Sequence, residues 1–216
     1  MEADFWHQCW DNNDIGFHEQ KANPMLVKYL GSLALQTGDR IFLPLCGKTP
    51  AIKWLLNKNF KVVGVELSPL AVEQLFSDLK IEPTITDCGP FKRYQANDID
   101  IYLGDLFNLS QDQLGSVQAI FDRAALVALP PQMREQYTAH LKIISCVAPQ
   151  LLLSFDYDQS LRSGPPFSVP ESDIQQYYNI TYHIKLLERK TITSIDPAID
   201  LKESVWLLTP KKDNIK

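Results

Sequence analysis

The hydrophobic positions of this 216-residue chain change period repeatedly, and each change marks the border between a strand and a helix. Ile41-Phe42-Leu43-Pro44-Leu45 is a short apolar run of the kind a buried strand needs. From Pro50 to Lys58, Ile52, Leu55 and Leu56 fall at helical spacing behind a proline that the first turn tolerates. Val62-Val63-Gly64-Val65 then predicts a second buried strand, ending in Glu66. Strand, tight turn, helix and strand form a βαβ unit, whose crossover makes the two strands parallel.

The same patterning extends to both ends of the chain. Residues 3–12 read as a short helix with Phe5, Trp6, Cys9 and Trp10 on one stripe, and residues 22–35 as a flanking helix. Ser68-Pro69 is a strong helix start, with Val72, Leu75, Phe76 and Leu79 as the buried face behind it. Residues 91–103 predict a hairpin, and Val117 to Phe121 a further strand. Pro130-Pro131 opens a long helix to Val147, and Leu151 to Phe155 is a near-continuous buried strand. A helix from Glu171 to Tyr178 precedes two strands, Tyr182 to Ile192 and Ser204 to Thr209, expected to be antiparallel at the sheet edge. The expectation is one α/β domain over residues 1–216, with N-terminal helices and a lid in 1–35 and a doubly wound, mostly parallel sheet in 40–209.

Composition narrows the partners. The net charge is −5 and no basic run exceeds a few residues, which argues against nucleic acid and membrane surfaces. The N-terminus has no positive region followed by an apolar stretch, so a cytoplasmic location is expected. Cys9, Cys46, Cys88 and Cys146 contain no CxxC and are expected to be reduced. The four histidines show no metal-ligand spacing, so no metal site is expected. A monomer is the default stoichiometry.

The candidate chemistry gathers where strands end. An acid at the tip of the second strand of a βαβ unit can accept hydrogen bonds from a ribose, and Glu66 stands 19 residues after Gly47. The turn lacks GxGxxG, so a nucleoside ligand without phosphates suits it better than a dinucleotide. Glu66 could instead only cap the next helix. Trp6 and Trp10 either cover the carboxyl edge as a lid, where electron-rich rings suit a cationic ligand, or simply pack. Asp105 follows a strand end and could meet a base amine or close a turn. Arg123, at another strand end, either aims its fork at a ligand or pairs with a carboxylate on another loop. Cys46 in the central turn invites a nucleophile reading, which requires a basic partner. Gly164-Pro165-Pro166-Phe167 is a stiff loop carrying an aromatic, which lowers the entropy lost on binding.

At PLCGK, VVGVELS, FDRAALVAL and SGPPFSVP together, the chain resembles the thiopurine S-methyltransferase family in its short bacterial form. The likeness runs from the Trp6–Trp10 helix to Trp206-Leu207-Leu208-Thr209. It implies the class I methyltransferase fold, a Rossmann-like, seven-stranded doubly wound sheet with a hairpin at one edge. It also implies transfer of the methyl group of S-adenosylmethionine to sulfur on aromatic or heterocyclic thiols, and in bacterial relatives to selenium and tellurium compounds. By resemblance, Trp10, Leu45, Glu66 and Arg123 match cofactor contacts, with Trp6, Asp105 and Leu106 beside them. Phe17 matches a substrate-side aromatic, Asp158 and Phe167 match the substrate rim, and Arg123 doubles as the residue favouring an anionic acceptor. Two rival readings are a nicotinamide-dependent dehydrogenase and a catalytically silent nucleoside-binding module.

Overall fold

The computed structural model describes residues 3–192 and 199–211. Nine described strands form one sheet: β1 (Arg40–Pro44), β2 (Lys61–Glu66), β3 (Thr84–Cys88), β4 (Phe91–Ala96), β5 (Ile99–Leu103), β6 (Ala119–Asp122), β7 (Gln150–Asp156), β8 (Tyr182–Ile192) and β9 (Leu201–Pro210). Their order is β3-β4-β5-β2-β1-β6-β7-β9-β8. The five central strands β5, β2, β1, β6 and β7 are parallel, and β9 and β8 close one edge antiparallel, as their patterns predicted. Those seven strands carry the expected fold. The other edge is a correction: β4 and β5 form the hairpin read from residues 91–103, but β3 adds a further strand beyond it. β3 escaped notice because most of its residues are exposed on both faces, so it has no apolar alternation to read.

Successive residues of the central strands feed two separate cores, as the pleat requires. Ile41 and Leu43 face helices α2 (Pro24–Tyr29), α3 (Pro50–Asn57) and α4 (Pro69–Leu79), whose Leu26, Ile52, Leu55 and Val72 fill that side. Phe42, Val63 and Val65 face the other side, filled by Tyr137 and Leu141 of α6 (Pro131–Ile144) and Ile174 and Tyr178 of α7 (Glu171–Tyr178). The sheet is therefore wound on both faces.

Helix boundaries follow local chemistry. The Oγ of Ser68 accepts a 3.3 Å bond from the amide of Ala71, and Asn23 and Thr49 cap α2 and α3 in the same manner ahead of a proline. The helix expected over 22–35 is shorter: α2 stops at Tyr29, a 3₁₀ turn covers Leu30–Leu33, and Ala34 turns left-handed at φ +52°. Likewise α6 ends at Ile144, because Cys146 and Val147 adopt φ of +50° and +58°. A four-residue helix α5 (Gln111–Leu114) and α1 (Ala3–Asp11) complete the set.

Candidate functional site

All the chemistry-bearing strand ends open on one side of the sheet, and there they enclose a cavity of 640 Å³. Its walls come from the turn after β1, the tip of β2, and the segments following β5, β6 and β7, closed over by α1 and residues 14–19. The size falls within the range of small-molecule sites. The carboxyl ends of parallel strands are where doubly wound sheets bind their ligands.

Glu66 is the most constrained group in it. The side chain is only 6% exposed. Its Oε2 accepts from the amide of Gly47 at 2.7 Å, and its Oε1 accepts from the amides of Leu67 and Ser68, both at 2.8 Å. Burial pushes the carboxyl up, while the three amide bonds oppose that shift by stabilising the anion. The cap of α4 is Ser68, so the simple capping reading of Glu66 does not hold. A carboxylate offers about four lone-pair sites. Three are occupied by backbone amides, and the remaining one belongs to Oε2.

The turn beside it is built for close approach. Leu45 and Gly47 both take left-handed conformations, at φ +47° and +51°, which for a leucine is strained. A Cβ on Gly47 would come within 3.1 Å of Cζ2 of Trp10. Trp10 is 4% exposed, and with Trp6 it flanks Phe17 edge-on at centroid distances of 5.7 and 5.8 Å. Trp6, Trp10 and Phe17 all line the cavity, so the aromatic helix both packs and covers. Cys46 lies in the same turn, but burial raises its thiol well above the usual range and its Sγ faces Gly64. It is a packing residue rather than an activated nucleophile.

Arg123 stands across the cavity. Its Nη1 donates to the carbonyl of Phe17 at 2.7 Å, and its Nη2 lies 3.4 Å from Oε1 of Glu19. Burial lowers its pKa, with Glu19 opposing that shift. The carboxylate on another loop is thus found, yet Arg123 still lines the cavity with donors to spare. Beneath it, Asp122 is fully buried, accepting from the hydroxyl of Tyr137 at 2.8 Å and the amide of Leu126 at 3.1 Å. Desolvation pushes Asp122 up to about 6.

The remaining expected residues divide. Leu45, Asp105 and Leu106 line the cavity. Asp105 caps a 3₁₀ turn through the amide of Phe107 at 3.0 Å, and the carbonyl of Leu106 is 2.9 Å from Nε2 of His140. Asp158 and Phe167 are not among the lining residues. Asp158 is exposed and spends its carboxylate on Ser160, whose amide and hydroxyl donate at 3.0 and 2.7 Å. Phe167 turns inward: its ring folds over Gly164 and lies 5.8 Å from the guanidinium of Arg134, leaving Gly164, Pro165 and Pro166 as the wall. Residues that sequence patterning passed over also reach the cavity, among them His18, Glu19, Lys48 and Met133. Burial and the nearby Lys48 lower the pKa of His18. The described residues contain no group of three or more potential metal ligands.

The cavity fits S-adenosylmethionine by its own chemistry. It offers a buried acceptor with one open lone pair, a glycine where a side chain would meet Trp10, and aromatic rings suited to a sulfonium. The thiopurine S-methyltransferase (TPMT) family profile matches residues 1–210. The chain is 48% identical to a thiopurine S-methyltransferase of Teredinibacter turnerae, covering 97% of this chain and 98% of the relative. It is 47% identical to one of Xanthobacter autotrophicus, covering 96% and 99%. Among solved structures, a SAM-dependent methyltransferase of Anabaena variabilis superposes with a TM-score of 0.63 at 14% identity, covering 97% of this chain and 95% of that one. Membership at this identity sets aside the dehydrogenase and the silent binding module. The chain belongs to the thiopurine S-methyltransferase family and is an S-adenosylmethionine-dependent methyltransferase.

Proposed function

We propose that the methyl acceptor is the sulfur of an aromatic or heterocyclic thiol, held as its anion between the apolar far wall of the cavity and Arg123. The observation that carries this reading is the pairing of the partly buried, always-charged Arg123 guanidinium with walls formed by Phe17, Val127, Met133 and Pro166. A flat apolar ring with one negative pole matches both features. Its relatives' name points to the same acceptor class.

S-adenosylmethionine supplies a methyl group activated by a sulfonium. The protein's part is positioning and exclusion of water. Glu66 anchors the ribose end of the cavity through the open lone pair of Oε2. Trp10 and Phe17 close the top, so an anionic sulfur within loses its hydration and becomes a stronger nucleophile. Arg123 stabilises that anion through charge-assisted hydrogen bonds. Heterocyclic thiols ionise readily, so no strong general base is needed. Alignment of donor and acceptor can supply up to ~7–11 kcal/mol of the barrier. The chain is read as a monomer, and its four free cysteines suit a reducing, cytoplasmic setting.

The test is a screen with isotope-labelled methyl donor against heteroaryl thiols, selenols and inorganic selenium and tellurium species, with the matching phenols and heteroaryl amines alongside. The softer selenium and tellurium nucleophiles are included as further acceptors of the same site. Label on sulfur, with preference for thiols already ionised at the assay pH, is expected. Label appearing only on oxygen or nitrogen nucleophiles would overturn the acceptor assignment.

A further inference from the structure

We infer that Arg134, outside every site residue considered so far, is the positioning residue for the acceptor wall. The inference rests on the reading of the 162–166 wall as the acceptor side. Arg134 lies on α6 and is 1% exposed, yet nothing about burying a cation there serves the sheet. Its guanidinium touches three separate pieces of chain, two of them through hydrogen bonds. Nε donates to the carbonyl of Leu129 at 2.9 Å, and Nη1 donates to Oδ2 of Asp173 on α7 at 3.1 Å. Its guanidinium carbon lies over the Phe167 ring, 5.8 Å from the centroid.

Two of these partners, Leu129 and Phe167, belong to the wall or its support, and Asp173 anchors the guanidinium to α7. Leu129 is itself a lining residue. Phe167 ends the loop whose Gly164, Pro165 and Pro166 form the wall, and its amide donates to the carbonyl of Val127, another lining residue, at 2.7 Å. The ring also packs over Gly164, which sits at φ +76° and where a Cβ would fall 2.5 Å from Cδ1. The backbone of the loop is held by the Val127 carbonyl, the Tyr157 hydroxyl and the Gln159 side chain, and the Arg134 guanidinium supports the Phe167 ring against it. Arg rather than Lys is required, because only a planar fork can stack on a ring while donating in two directions. Phe167 therefore shapes the acceptor pocket indirectly.

The experiment compares Arg134→Met and Arg134→Lys with the wild-type protein by two readouts. Hydrogen exchange of residues 162–169 tests the positioning itself and needs no acceptor. Both variants are expected to expose the Phe167 amide to faster exchange while the β1 and β2 amides stay protected. Kinetics with a thiol that the wild type methylates tests the consequence. The acceptor kcat/KM is expected to fall about 10–100-fold, the scale of an ångström's misplacement, while the Kd for S-adenosylhomocysteine stays within about twofold. Should Arg134→Met fail to fold, Phe167→Leu removes the stacking partner from the other side and is expected to give the same split. Unchanged exchange over 162–169 would overturn the proposal, as would equal losses in acceptor KM and cofactor Kd. If the wild type methylated no thiol, the acceptor reading would fail while the exchange result still decided the role of Arg134.

Discussion

Replacing Glu66 by glutamine isolates the function of a single lone pair. In the native protein the amides of Leu67 and Ser68 share Oε1, and Gly47 takes one side of Oε2. A glutamine keeps more bonds by placing its carbonyl toward Leu67 and Ser68, which turns its NH₂ toward Gly47 and the cavity. One charge-assisted bond is then lost in the free protein, a cost of ~1.5–3 kcal/mol. For a chain of this size a loss of ~2 kcal/mol lowers Tm by roughly 4–8 °C. In the complex, the ribose hydroxyl that donated to Oε2 must turn to accept a neutral bond worth ~0.5–1.5 kcal/mol instead. The difference is about 1–2 kcal/mol, so binding should weaken roughly 5–30-fold. Calorimetric titration with S-adenosylhomocysteine beside a thermal melt measures both effects. A variant with lowered Tm but a Kd within twofold of wild type would refute the ribose anchor, because the perturbation would have reached the site without touching affinity.

Further outcomes follow from neighbouring groups. Arg123→Ala should reduce turnover about 10²-fold, the scale of one lost transition-state donor, with a much smaller change in cofactor Kd; steady-state kinetics with matching kcat would remove Arg123 from the reaction. Gly47→Ala should weaken cofactor binding and destabilise by ~1–2 kcal/mol, since alanine pays for the left-handed turn and meets the Trp10 ring; a wild-type melt would contradict this. Asp122 gives a pH prediction. Its pKa is raised from 3.8 to about 6 in the folded protein, so the folded state holds the proton more tightly. The contribution is fully present below pH ~4 and is lost as pH rises through ~6, on the order of 3 kcal/mol in all. Urea unfolding of the wild type minus Asp122→Asn across pH 4–7 should show that slope, and parallel curves would exclude it.

The sequence carried the central unit well because its chemistry is local. The apolar runs of β1 and β2, the proline-started helices and the acid closing β2 all announce themselves within a few residues, and the structure confirms their parallel pairing. What stayed hidden depends on distant chain or on unmarked backbone. No residue near Arg123 reveals that Glu19, more than a hundred positions earlier, becomes its partner. The end of α6 uses left-handed Cys146 and Val147, residue types that give no glycine signal. Resemblance puts Phe167 at the substrate rim, yet its ring folds over Gly164 and lies 5.8 Å from the guanidinium of Arg134, a buried cation on α6 that no local pattern marks. Asp158 followed the end of β7 as Glu66 follows the run of β2, yet it is turned to its own loop by Ser160.

The most direct measurement is a crystal structure of the protein with S-adenosylhomocysteine. The account predicts a ribose hydroxyl at ~2.6–3.2 Å from Oε2 of Glu66, the three amide bonds to Glu66 retained, and the Trp10 ring over the ligand. A ligand bound with its ribose away from the tip of β2, or Glu66 touching only its three amides, would contradict it.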